Sequence, residues 1–311
     1  MSENQEVFNF YDQTYLKSYN LDKSIQYQLN LLDSLDAYTR KHCENVATIV
    51  CNLCKKLHLS RGFTEYCTTC AFLHDIGKLF IPSSILQKPG QLTQEEYEVM
   101  KKHTTLGYKL CIKDTKLRPY HAGAYYHHEA LNGSGYPQGL TKKDIPFEAQ
   151  IIRVADEYDA LIHKRQYKSH IGISDALKII IENTRPPKDA PHNSEYSKLG
   201  KNNKKIVKKL FKVVIDDIEY EISSTIDYVK HLNNELNRFK KIEHYIEKMN
   251  SSKKENDILY YKQYIDLLLR PDESLEEFDT LYHEIQDAYT LRKNILSDLH
   301  KEIKIVKKLR V

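Results

Sequence analysis

Ala71-Phe72-Leu73-His74-Asp75-Ile76-Gly77-Lys78-Leu79 reads as an apolar helix interrupted by an imidazole and a carboxylate side by side. Two such groups on a face suited to burial are costly unless a metal ion satisfies them. Lys78 follows His74 by four residues and Asp75 by three, so on a helix it shares their face. An ammonium cannot ligate a metal, but it can hold a phosphate oxygen or offset charge that builds up in a transition state. The pattern returns in Ile151-Ile152-Arg153-Val154-Ala155-Asp156, where Asp156 interrupts the apolar run and Arg153 sits one turn earlier on the same side.

Outward from these stretches, apolar residues recur every three or four positions from Ser24 to Val154. Short turn signals break the run: Ser60-Arg61-Gly62, Ile81-Pro82-Ser83-Ser84, Lys88-Pro89-Gly90 and Asn132-Gly133-Ser134-Gly135-Tyr136-Pro137. Helices joined by Pro/Gly loops follow, and no period-2 strand pattern stands out. Thr93 with Glu96 three residues later marks a helix start. The fold class is all-α. Residues 1–22 are expected to form a lead-in, 23–215 the domain that carries His74, Asp75 and Asp156, with a divergent loop or insertion at 184–203, and 216–311 a helical C-terminal extension. Seven lysines and no acid fall between Lys198 and Lys212, which suits a solvated helix face. Beyond it, Ile222, Ile226, Val229, Leu232, Leu236, Phe239, Ile242 and Ile246 form one stripe. A final helix from about Ser274 carries Leu275, Phe278, Leu281, Ile285 and Ile295 on another. These near-heptad stripes predict a helical hairpin, or a coiled-coil-like surface for a second copy of the chain or a protein partner.

Hydrophobic residues are 41% and charged residues 29% of the 311, enough apolar material for a real core. A formal charge of +4 is too small to argue for a nucleic-acid polymer as partner. No stretch reaches the roughly 18 apolar residues a membrane span needs, and the first twenty residues lack a secretion signal, so a cytoplasmic location is expected. Cys51/Cys54 and Cys67/Cys70 have zinc-ribbon spacing, yet both pairs lie in helical runs without a Gly-rich knuckle, so core packing is expected.

The chemistry lies in an ordered series: His42, His74, Asp75, His103, His127, His128 and Asp156. Neutral imidazoles with carboxylates suit Fe or Mn, and also Zn, rather than Mg or Ca. Seven donors are too many for one ion and right for two divalent transition-metal ions sharing a carboxylate. Such a pair can make a nucleophile from water and polarise a phosphoryl group.

His74-Asp75 matches the motif of the HD phosphohydrolase superfamily. With His74-Asp75-Ile76-Gly77-Lys78, Lys88-Pro89-Gly90, His103, His127-His128-Glu129, Gly135-Tyr136-Pro137 and Arg153-Val154-Ala155-Asp156, the chain resembles the HD-GYP family over about residues 30–182. The resemblance implies hydrolysis of cyclic di-GMP to linear pGpG, GMP or both. It implies one metal on His42, His74, Asp75 and Asp156, a second on His103, His127 and His128, and Asp75 as the bridge. Lys78 would contact the scissile phosphate, Tyr136 would shape the pocket, and Arg153 would bind substrate. Arg165 and Lys168 would hold phosphate and guanine.

Three-metal members of that family carry glutamate where this chain has Tyr38, which points to two metals. The family's usual Phe-Asp-Pro ending is replaced by the 184–203 stretch, which bears on the lower wall of the pocket. Two other readings compete. One is a metallophosphohydrolase for another cyclic dinucleotide or phosphate ester. The other is a dead scaffold that signals through its tail, although dead members lose metal ligands and all seven are present here.

Overall fold

The protein is described from a computed structural model covering residues 27–28, 30–31, 37–162, 172–187 and 198–311. Among these residues it is all-helical, with one isolated antiparallel bridge between Asn132 and Thr141. The chain divides into two compact units: one holds residues up to 214 with 308–311, the other residues 215–307.

In the first unit, α1 (Ala37–Lys56) packs on α2 (Arg61–Phe72) and on α7 (Phe147–Ile162). Val46, Val50 and Leu53 of α1, Phe72 of α2, and Ile151, Ile152 and Ala155 of α7 are fully buried and form the core. All six cysteines lie buried as thiols; Cys51, Cys54, Cys67 and Cys70 pack within α1 and α2 as core side chains. Burial pushes the thiols of Cys43, Cys67 and Cys70 up, and that of Cys111 up to about 12. For Cys67, a hydrogen bond with Cys54 is the larger cause.

The stretch around His74 departs from the sequence reading. It is not one helix: α2 ends at Phe72, and a short 3-10 helix, Ile76–Phe80, follows after a turn. The cause is a close approach. A Cβ on Gly77 would lie 1.8 Å from the carbonyl oxygen of His103, so this turn and α5 (His103–Lys113) touch backbone to backbone. Ser60 caps α2, its Oγ accepting from the Phe63 amide at 3.3 Å. Between α2 and α5 lie the single turn α3 (Ser83–Leu86) and α4 (Gln94–Lys101). At the start of α4 the expected capping box is complete: Thr93 Oγ accepts from Glu96 N at 3.3 Å, and Glu96 Oε2 accepts from Thr93 N at 2.7 Å. Helix α4 gives way at Lys102, and His103 opens α5. Helix α6 (His121–Tyr126) leads into the long loop before α7, and α8 (Ile173–Glu182) packs on α7.

Helix α9 runs from Lys204 to Ser251, well before the start that the later stripe marks. Its first turns bury Ile206, Val207, Leu210 and Val214 while Lys204, Lys205, Lys208 and Lys212 remain exposed, so most of the lysine run is one amphipathic face.

The second unit contains the later part of α9, α10 (Glu255–Leu268) and α11 (Phe278–Val306). Phe239, Ile242, Ile265 and Phe278 form its core, with Ile246, Leu281 and Ile285 against it. Arg238 ties the connections together. It donates to Glu273 through both terminal nitrogens at 2.6 Å, to Glu235 at 2.9 Å and to the Leu268 carbonyl at 2.9 Å. This bond to Arg238 outweighs partial burial and holds the Glu273 carboxyl below its ordinary value. A carboxyl lowered in the folded state stabilises above its unfolded pKa and stops doing so as pH falls through the folded one. Arg238→Met should cost the second unit about 2 kcal/mol at pH 7, read by chemical denaturation. Stability lost below about pH 4.5 in the wild type should be smaller in Glu273→Gln.

Candidate metal centre

All seven sequence-predicted donors converge. His42 comes from α1, His74 and Asp75 from the turn after α2, and His103 from the start of α5. His127 and His128 come from the end of α6, and Asp156 from α7. Six of them fall into two groups, and within each the ligand atoms lie within 4.8 Å of one another: His42, His74 and Asp75, and His103, His127 and His128. Asp75 faces both, with Oδ2 3.3 Å from His74 Nε2 and 3.7 Å from His42 Nε2, and Oδ1 3.4 Å from His103 Nε2. Asp156 spans them too. Its Oδ1 is 3.0 Å from His42 Nε2, and its Oδ2 is 4.0 Å from His128 Nδ1.

Four imidazoles are oriented from behind. Nδ1 of His42 donates to Asp159 Oδ2 at 2.7 Å, that of His74 to the Ala71 carbonyl at 2.6 Å, that of His103 to the Met100 carbonyl at 2.8 Å, and that of His127 to the Gly123 carbonyl at 2.8 Å. These acceptors fix the proton on Nδ1, so each neutral ring presents an Nε2 lone pair. Nε2 of His42 and of His74 is buried without a hydrogen bond, facing carboxylate oxygens. Nε2 of His103 and of His127 face each other at 3.2 Å. Lone pairs aimed at lone pairs and at carboxylates repel unless cations lie between them, so the donor set fits divalent metal ions.

Electrostatics favour the ligating form of five donors, whereas at His74 Asp75 and then Cys43 outweigh burial and raise the imidazole well above its usual range, so a metal there takes the place of a proton. Burial, reinforced by neighbouring histidines, lowers His127 to about 3 and takes His128 well below the usual imidazole range. Burial lowers His103 as well. For Asp75, Lys78 and then His74 outweigh the opposing effect of burial and hold the carboxyl well below the usual range. His42 does the same for Asp156. Lys78 lies beside Asp75 although the stretch is not the helix the spacing assumed, its Nζ 2.5 Å from Asp75 Oδ2.

A cleft of about 840 Å³ opens onto the centre. Among the described residues its wall includes Lys78, Lys88, Arg153 and Lys201, and no acid. Tyr136 forms part of it, its ring stacked on His128 with centroids 4.6 Å apart. Tyr38 lies there too, its ring parallel to that of His42 at 6.4 Å. Arg153 donates to the His128 carbonyl at 3.1 Å and to Asn202 Oδ1 at 2.9 Å. Arg165 and Lys168 lie outside the described residues.

Three contributors were given no role from sequence. Asp159, fully buried, orients His42; its position three residues after Asp156 on one apolar helix was the available signal. Glu129, 1% exposed, accepts from the amides of Gln138 at 2.7 Å and Leu140 at 2.8 Å, holding the loop that carries Tyr136. Asn202, 3% exposed, links Arg153 to Glu157. Its distance in sequence from its partners left no local signal. Asp159→Ala should weaken metal binding by about 10- to 100-fold with helical content retained, measured by metal titration beside circular dichroism.

The HD domain family matches residues 26–188. A cyclic di-GMP phosphodiesterase of Thermotoga maritima is 36% identical over 196 residues, 56% of this chain and 53% of that one. The cyclic di-GMP phosphodiesterase response regulator RpfG of Xanthomonas campestris pv. campestris is 40% identical over 145 residues, 46% of this chain and 38% of that one. A 3′3′-cGAMP-specific phosphodiesterase 3 of Vibrio cholerae is 34% identical over 153 residues, 49% of this chain and 33% of that one. The chain thus spans about half or less of the length of these curated relatives. With a family match over half of its length, the chain belongs to the HD domain family.

Proposed function

We propose that the chain is a metal-dependent phosphodiesterase that opens a 3′–5′ phosphodiester of cyclic di-GMP, giving linear pGpG, GMP or both. One observation carries this reading: buried imidazole lone pairs and two carboxylates face one another next to a cleft that reaches them at His103 and His128 and has four cations and no acid among its described wall residues. Such a cleft suits a doubly anionic ligand, and its volume suits a dinucleotide.

His42, His74, Asp75 and Asp156 would hold one ion and His103, His127 and His128 the other, with Asp75 shared; Fe or Mn suits these donors first, then Zn. When bound, two divalent ions lower the pKa of water and polarise a phosphoryl oxygen. The chain's own groups do the rest. Asp159 and the backbone carbonyls keep the imidazoles turned inward. Lys78, beside Asp75, would meet a non-bridging oxygen as charge grows there. Arg153 would hold a phosphate oxygen at the metal end of the cleft, and Tyr136 would set the width above His128. The resemblance, rather than any contact described above, assigns Arg165 to phosphate and Lys168 to guanine.

Names among the Vibrio relatives support a second reading with the same site and another cyclic dinucleotide, 3′3′-cGAMP. Product analysis with both substrates separates the two. Residues 216–311 are read as the element for self-association or for a protein partner, supported by Leu259 and Leu267 standing 58% and 79% exposed on α10. Sedimentation velocity of the full chain tests the former.

Asp75→Ala should lose metal and nearly all activity while keeping its helical spectrum; an active variant would sink the shared-carboxylate arrangement. Lys78→Ala should lower kcat by about 10²-fold or more and leave KM and metal content little changed. A variant that keeps its kcat and binds substrate weakly would make Lys78 a binding residue only.

A further inference from the structure

The four cations on the cleft wall are not equivalent. Lys78 is committed to Asp75 at 2.5 Å, and Lys88 to Glu96 at 2.6 Å. Arg153 and Lys78 also line a smaller pocket of about 230 Å³ that contains Asp75 and Asp156, so both belong to the metal end. Lys201 lines the larger cleft and not the smaller pocket, and among the described residues its ammonium has no carboxylate partner. It also lies in the stretch where the sequence departs from the HD-GYP pattern.

The backbone that presents Lys201 is held on both sides. Its carbonyl accepts from the Leu131 amide at 3.0 Å, and the Asn202 amide donates to the Asn183 carbonyl at 2.9 Å. The Asn202 side chain is anchored between Arg153 at 2.9 Å and Glu157 at 2.7 Å. Just before Lys201, a Cβ on Gly200 would lie 2.3 Å from the Thr184 carbonyl carbon, so this segment is pressed against the end of α8. Lys201 is therefore a cation on a fixed base, facing the cleft.

A cyclic dinucleotide carries two phosphodiesters on opposite sides of its ring, each with one negative charge. When one is at the metal end, the other lies farther out in the cleft. Resting on the reading under Proposed function, we propose that Lys201 binds the phosphate that is not being cleaved. It thereby favours substrates with two phosphodiesters over those with one.

The experiment compares the metal-loaded wild type, Lys201→Gln and Lys201→Arg on cyclic di-GMP and on bis(p-nitrophenyl) phosphate, which has a single diester. Lys201→Gln should raise KM for cyclic di-GMP by about three- to tenfold, with a far smaller effect on the single diester, and Lys201→Arg should restore most of the loss. An unchanged KM for cyclic di-GMP, an equal rise on both substrates, or no rescue by arginine overturns the assignment. A wild type that cleaves the single diester but neither binds nor cleaves a cyclic dinucleotide overturns the functional reading, and this inference with it. That outcome is seen in the wild type alone, before any variant is compared.

Discussion

Mutual repulsion among buried lone pairs is the constraint on which the first unit depends. His42, His74, His103 and His127 each commit a proton outward, to Asp159 or to a carbonyl of Ala71, Met100 or Gly123. What remains inside is basic nitrogen and carboxylate oxygen at 3.0 to 3.9 Å. In a poorly solvated interior such an arrangement is costly unless positive charge lies at its centre. The outward acceptors come from α2, α4, α6 and α7, so the helices around the centre share in keeping it under that tension.

Local structure serves the same end. The broken helix after Phe72 lets Asp75 face both histidine groups, and the side-chain-free contact at Gly77 brings α5 close enough for His103 to join them. Glu129 spends its buried charge on two loop amides, which keeps Tyr136 over His128. These groups touch no metal position, yet they fix the distances at which the ligands stand.

The donors were legible because imidazoles and carboxylates are out of place on apolar helix faces, and because their order resembles a known family. The capping box at Thr93 was legible for a local reason, since both partners lie within one turn. The break at Leu73 was not, because it follows from a contact between Gly77 and a backbone oxygen of His103, 26 positions away in sequence. Asn202 was hidden likewise, its partners Arg153 and Glu157 lying on another helix. The early start of α9 was obscured by composition: seven lysines mask the apolar stripe of Ile206, Leu210 and Val214 that seats the helix.

The six buried cysteines have a different kind of consequence. Thiolate, not thiol, reacts with alkylating reagents, and these sulfurs are sequestered, with burial opposing ionisation at Cys43, Cys70 and Cys111. They become reactive as the helices that cover them part. The first unit therefore carries its own chronometer: the rate at which a small thiol reagent consumes these cysteines follows the opening of α1, α2 and α5. Any ligand that binds only the closed state slows that clock in proportion to its occupancy.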